Sequence, residues 1–180
     1  MRCVPGLIRD DKGSTTVEFA LVGLMFIATV LFTMTVAQIL YFNQQLDFAT
    51  DQAARQVIIG NAQRQNPPPT LANFTQALCH HLPPAMSCGD LIVNLHVVEP
   101  VPGYYAYVNS DQSGLKIPAL TAGSGQFTLG TQGRYQYLQV IYPITFLPSF
   151  MTGWLDASAT YKGKPAYLVI STAAFRVEQY

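Results

Sequence analysis

The sequence has few charged residues, and neither sign is in excess. Charged side chains make up 11% of the 180 residues, ten basic and ten acidic, so the formal net charge is zero. Soluble domains usually carry about 25%. Nucleic-acid binding needs a basic face that neutralises phosphates, so this composition argues against a nucleic-acid partner.

Cysteine is also scarce, and no CxxC motif occurs among the three cysteines. A zinc ribbon or a thioredoxin-like site is therefore not expected. Cys3 stands alone near the N-terminus, whereas Cys79 and Cys88 lie close together, with Pro83-Pro84 between them to turn the chain back. We expect a Cys79–Cys88 disulfide and no partner for Cys3; two separate buried thiols are the alternative. Such a division suits a chain that spans two redox compartments.

Only one long hydrophobic run is present. Residues 17–42 contain a single charged residue, Glu18. A helix over these residues would be about 39 Å long at ~1.5 Å per residue, and a bilayer's hydrocarbon core is about 30 Å thick. The sequence therefore predicts one transmembrane helix over residues 17–42, in contact with membrane lipid.

The run does not have the form of an ordinary cleaved signal peptide. The preceding segment, Arg9-Asp10-Asp11-Lys12, is not clearly basic. The apolar run is about twice the usual length, and no small-residue cleavage site ends it. A plain signal anchor explains the hydrophobicity and stays as an alternative, but it does not explain the residues that open the run.

The run opens at Gly13-Ser14 and places an acid just inside the apolar helix. If the chain is cut after Gly13, Glu18 becomes the fifth residue of the mature protein. A carboxylate inside a membrane is costly, and a freed α-amino group at Ser14 is the obvious partner for it. An acid near a helix N-terminus also suits the helix dipole.

The residues from Gly13 to Val22, with the core Val17-Glu18-Phe19-Ala20-Leu21, resemble the prepilin-type signal of TadE-like pseudopilins. These are minor pilin-like proteins of the tight-adherence (Flp) pilus system. The family's Ala-rich, Arg-ending helix continuation is similar to Ala49–Arg55, and its closing strand is similar to Ala173–Tyr180. One departure is Phe19, where these pseudopilins often have Tyr.

The resemblance implies residues 1–13 as a cytoplasmic leader, cleavage between Gly13 and Ser14 by a prepilin peptidase, and a role for Glu18 and Phe19 in the processing signal. It implies a non-enzymatic role in pilus assembly. The partners would be other pilin-like subunits and the inner-membrane assembly platform. The protein would sit in the bacterial inner membrane with a cytoplasmic N-terminus and a periplasmic or pilus-borne C-terminal domain.

Two other functions remain open at this point. A type II secretion pseudopilin would normally show Phe-Thr-Leu after the glycine, where this chain has Ser14-Thr15-Thr16. A membrane-anchored extracytoplasmic binding protein is the other alternative. Within the span, Thr29, Thr33 and Ala37 form a row of small residues at four-residue spacing, which predicts a face for close helix packing.

The helix is expected to continue beyond the membrane, over residues 14–62 in all. An apolar stripe at three- and four-residue spacing predicts one buried face, and Gly60-Asn61 predicts the helix end. The stripe consists of Phe42, Leu46, Ala49, Ala53 and Val57.

A Pro-rich linker is predicted over residues 63–70, and an extracytoplasmic domain over 71–180. In that domain the pattern predicts a short helix at 71–82, capped by Thr70. Alternating or β-branched residues predict strands at 91–98 and 135–142 and one or two further strands over 166–178, while 100–133 is a long loop or hairpin excursion. The expected fold class is α+β, with an antiparallel sheet packed on the long helix.

No catalytic, cofactor or metal motif is apparent in the sequence. It contains no GxSxG, HExxH or P-loop. The histidines are His80, His81 and His96, and adjacent histidines on a helix point in different directions, so a metal site is not expected. We therefore predict no enzyme activity and no cofactor.

Overall fold

The computed structural model describes residues 14–147, Met151, Gly153 and 159–178. The leader with Cys3 and Gly13 lies outside these residues. The chain divides into two compact units, Met1–Ile39 and Leu40–Tyr180. The fold class is α+β, as the sequence predicted.

Helix α1 spans Ser14–Ile58, four residues shorter at its C-terminus than the predicted 14–62. It ends because Gly60 adopts a left-handed backbone conformation with φ of 74°. Glycine enters this region without a steric penalty, as it commonly does after a helix. A separate short helix, α2, follows at Asn61–Arg64, where the sequence had predicted the end of one helix and the start of a linker.

Helix α3 spans Leu71–Cys79 and begins at the predicted cap. The Thr70 hydroxyl accepts a hydrogen bond from the backbone N–H of Asn73 at 3.3 Å. The helix is three residues shorter than predicted. His81 and Leu82 instead donate to carbonyls three residues back, which tightens the chain into turns before Pro83.

Four strands form one antiparallel sheet in the order β1-β2-β4-β3. Strand β1 is Ile92–Val97, β2 is Tyr135–Ile144, β3 is Ala159–Tyr161 and β4 is Lys164–Arg176. The predicted stretch 166–178 is thus a single strand, while β3 was not predicted. Strand β2 lies in the centre and pairs with β1 (Leu95 opposite Leu138) and with β4 (Ile144 opposite Tyr167).

The sheet is covered on both faces. On one, Phe42 of α1 meets Tyr142 of β2 with ring centroids 6.2 Å apart. On the other, Tyr137 stacks on Tyr107, whose segment Gly103–Tyr107 is a short 3-10 helix. This burial on both faces explains why nine of the ten residues of β2 are buried.

The excursion at residues 100–133 also covers the outer edge of β1. The backbone N–H of Leu95 donates to the Gln126 carbonyl at 2.7 Å, and the Leu95 carbonyl accepts from Thr128 at 2.9 Å. Exposed edges invite pairing with other chains, so this contact protects the sheet.

Candidate assembly surface and membrane anchor

The first unit, described from Ser14 to Ile39, exposes nearly all of its large apolar side chains. Phe19 is 79% exposed, and Phe26 is 68% exposed. By length and composition, α1 is apolar and long enough to cross a membrane. Exposing this much apolar surface to water is energetically unfavourable. The segment is therefore a candidate membrane anchor.

Three threonine hydroxyls within this segment donate to backbone carbonyls of their own helix. Thr29 donates its hydroxyl to the Met25 carbonyl at 2.8 Å, Thr33 to Val30 at 2.9 Å and Thr35 to Leu31 at 2.9 Å. In hydrocarbon an unsatisfied hydroxyl is costly, so this internal bonding suits a lipid-facing helix. Thr35 was not singled out from the sequence, although a threonine four residues after a helical carbonyl is the usual signal of this bond.

The predicted packing row lies on the surface of the helix. Thr29, Thr33 and Ala37 are exposed. Since both hydroxyls are bonded to their own helix, the row presents small apolar surface to a neighbour rather than free donors. Its packing role stays a prediction.

Glu18 lies near the start of α1, four residues after Ser14. At ~1.5 Å per residue, the two positions are separated by about one helical turn along the axis. Its neighbour Phe19 points outward. The geometry therefore allows a carboxylate at Glu18 to reach an amino group at Ser14, while Gly13 lies outside the described residues.

In the second unit, the part of α1 after Leu40 seats the folded domain. Every member of the predicted apolar stripe is buried, with Leu46, Ala49 and Val57 fully so. At the far end of the helix, the Ile58 carbonyl accepts a hydrogen bond from Glu178 at 2.9 Å. The stripe thus acts as predicted: it packs the domain against the helix.

A disulfide joins Cys79 and Cys88, the pairing that the sequence predicted. Their Cα atoms are 5.7 Å apart. Cys79 ends α3, and Cys88 begins a short 3-10 helix, Cys88–Asp90, that leads into β1. Disulfides persist in oxidising compartments, so this bond is characteristic of an extracytoplasmic domain.

Among the ionisable groups of the second unit, Asp90 and His96 contact other polar or aromatic side chains. Asp90 accepts from Lys162 at 2.6 Å and from the Tyr161 hydroxyl at 2.9 Å. The hydrogen bond from Lys162, above all, holds the pKa of Asp90 below its usual value. His96 lies 5.1 Å from the Tyr107 ring, and burial lowers the pKa of His96. The Asp90–Lys162 ion pair joins the segment before β1 to the turn between β3 and β4.

The histidines do not form a metal centre within the described part of the chain. His80 and His81 follow α3, and His81 packs edge-on against Phe48 with centroids 6.3 Å apart. No group of three or more His, Cys, Asp or Glu side chains that could hold a metal occurs among the described residues.

A family model described as TadE-like protein matches residues 13–55. The match covers the predicted cleavage position, the apolar run and the buried stripe as far as Ala53, and it confirms the resemblance over those residues. The family is one of structural, pilus-associated proteins rather than enzymes. Residues 13–55, less than half of the chain, are therefore similar to Tad pilus-associated, pilin-like proteins. Neither a curated protein nor a solved structure matches the chain.

Proposed function

We propose that this chain is a minor pseudopilin that takes part in assembly of a tight-adherence (Flp, type IVb-like) pilus. It is inserted in the bacterial inner membrane through α1, and a prepilin peptidase cleaves it between Gly13 and Ser14. The observation that carries the proposal is the position of Glu18 in the first residues of a long, exposed apolar helix that the TadE-like family model matches.

The anchor and the domain favour one orientation. The leader stays in the cytoplasm, and residues after about Tyr41 lie outside. Arg2, Arg9 and Lys12 precede the span, and basic residues tend to remain on the cytoplasmic side. The Cys79–Cys88 disulfide supports the same orientation.

Assembly uses the surface of α1 in this proposal. Pilin-like helices would pack their apolar halves together, and the exposed row Thr29-Thr33-Ala37 allows two helices to approach closely. The partners are other pilin-like subunits and the inner-membrane assembly platform.

Processing is tested on the mature N-terminus. We expect mass spectrometry of protein from cells that contain the prepilin peptidase to give a chain beginning at Ser14. Gly13→Arg should block cleavage, because a long side chain would obstruct a protease working at the membrane surface. Gly6→Arg adds the same charge elsewhere in the leader and should leave cleavage intact.

The alternatives predict different outcomes. A plain signal anchor keeps Met1, or the residue after it, with either variant. An unprocessed wild-type chain in the presence of the peptidase, or cleavage of Gly13→Arg at the same rate as wild type, would show that the processing part of this proposal is wrong.

A further inference from the structure

A cluster of apolar side chains, most of them exposed, occupies the end of the second unit at which the chain enters it. Leu40 is 63% exposed, Tyr41 is 47% exposed and Phe146, just beyond β2, is 54% exposed. Phe42 lies between them, with its ring centroid 6.1 Å from Tyr41 and 5.9 Å from Phe146. We call Leu40, Tyr41, Phe42 and Phe146 the entry patch.

The opposite end of the unit differs in character. There Glu178 meets Ile58, and β2 begins at Tyr135 opposite Arg176. An Arg134–Glu99 ion pair at 2.9 Å lies beside it. Exposed aromatic side chains occur at this end too, at Tyr105 and Tyr135, but only the entry patch directly continues the apolar run of α1.

A basic turn stands at the same end as the entry patch. Ile144 pairs with Tyr167, and β4 extends three residues further, to Lys164. The turn from β3 into β4 carries Lys162, whose side chain is 67% exposed although its amino group contacts Asp90. Lys164 is exposed as well.

The sequence around the patch is free of charge over a long stretch. Between Arg134 and Asp156 the chain has no Asp, Glu, Lys or Arg. At the helix side, Leu40 and Tyr41 directly continue the apolar run that begins at Val17. The patch is thus continuous along the chain with the membrane anchor.

We infer that the entry patch rests in the headgroup region of the lipid bilayer, with the basic turn beside anionic headgroups. Aromatic rings favour the membrane–water interface, where an apolar body and a polar edge are both satisfied. Lysines close to an anionic surface are attracted to it. This contact would hold the domain against the membrane before assembly. The inference rests on the proposed membrane anchoring.

The test is tryptophan quenching by brominated lipid in the full-length chain. The single natural tryptophan is replaced (Trp154→Phe), and one tryptophan is introduced at Phe146 in the patch, Phe26 in the span or Tyr105. Tyr105 is 78% exposed in the 3-10 helix beyond the opposite end of β2, so it is the matched control outside the membrane. Each variant is reconstituted in vesicles with a large molar excess of lipid over protein.

We expect Phe146→Trp to lose several-fold more emission than Tyr105→Trp, most strongly with bromine near the headgroups. Phe26→Trp should respond most to bromine deep in the acyl chains. If Phe26→Trp is quenched but Phe146→Trp behaves like Tyr105→Trp, the patch does not touch lipid, and the anchor stands. If Phe26→Trp is not quenched, the anchor itself is wrong, and this inference falls with it.

Two further outcomes overturn the inference. A blue shift of Phe146→Trp without quenching would mean that a second copy of the chain covers the patch. Equal quenching of Phe146→Trp and Tyr105→Trp would mean that lipid does not contact the entry patch in preference to the opposite end of the unit. If Trp154→Phe prevents the Cys79–Cys88 disulfide from forming, the same substitutions are made with Trp154 kept, and the increment in quenching over the parent is measured.

Discussion

Gly125 lies where the excursion crosses the edge of β1, and no side chain fits there. A Cβ atom built on Gly125 would come 1.8 Å from the carbonyl oxygen of Val93 and 3.2 Å from the Asn94 side-chain oxygen. Val93 is held in β1 opposite Val140, so its backbone has little freedom to move away. The Asn94 side chain also accepts a hydrogen bond from the Gln126 backbone at 3.0 Å.

We therefore expect Gly125→Ala to lower the free energy of unfolding of the second unit by about 1–3 kcal/mol, the usual cost of overpacking. Gly114→Ala is the matched control in the same excursion, since nothing lies within 4 Å of a Cβ there. Denaturant unfolding in detergent, followed by near-UV circular dichroism, measures the difference. Equal stability of the two variants would mean that the excursion does not pack against β1 in solution.

At the scale of elements, the helices and strands that could be predicted from sequence are those with a strong local pattern of apolar residues. Strands β1 and β2 show alternation or β-branched residues, and the apolar stripe of α1 marks its buried face. Strand β3 has three residues, too few to show a period of two. The pairing of Gln126–Thr128 with β1 was missed because it depends on a long-range hydrogen bond, not on local composition.

Site residues follow the same rule. The Cys79–Cys88 disulfide was predicted because the two prolines between the cysteines turn the chain back. In the structure both cysteines lie at the ends of secondary-structure elements. The sequence did not indicate a role for Phe146, because a single phenylalanine after a strand is common. Only the structure shows that its ring lies beside that of Phe42. The hydrogen bonds from the threonine hydroxyls to carbonyls of their own helix, in contrast, can be predicted from sequence, because they depend only on helical geometry.

The disulfide links α3 to the start of the sheet, and its loss should be measurable as stability. Closing a loop of this size stabilises by about 2–3 kcal/mol in the chain-entropy model. Cys79→Ser, Cys88→Ser and the double variant should lose similar amounts, because one bond is removed in each. Chemical denaturation with and without reductant checks this.

Thiol labelling tests the same bond in the processed chain. Denatured, unreduced protein should show no reactive thiol, since Cys3 would leave with the leader. Two reactive thiols would rule out the bridge, and one would show that Cys3 is retained. The bridge should also form in cells only when the domain is exported, so thiols that are trapped before lysis report the compartment.

At the scale of the whole molecule, the two units have opposite surfaces. The first exposes most of its large apolar side chains, and the second has a buried core that includes Leu46, Leu95 and Leu138. The only charge in the apolar run is Glu18. Because Glu18 is the single charge in a long apolar run, it can distinguish one axial position of neighbouring helices from another.

We expect Glu18→Ala to leave a processed, inserted protein that fails to assemble. After cleavage, the ammonium group of Ser14 and the carboxylate of Glu18 offset each other's cost in lipid, within one chain or between neighbouring subunits. Between subunits, one stagger alone brings the charges together, so the pair would fix the register. Piliation of cells, with mass spectrometry of the N-terminus, measures both steps. Thr35→Val, which removes only an internally bonded hydroxyl, should assemble normally. If processed Glu18→Ala supports normal piliation, Glu18 does not set the register, whatever happens at Gly13.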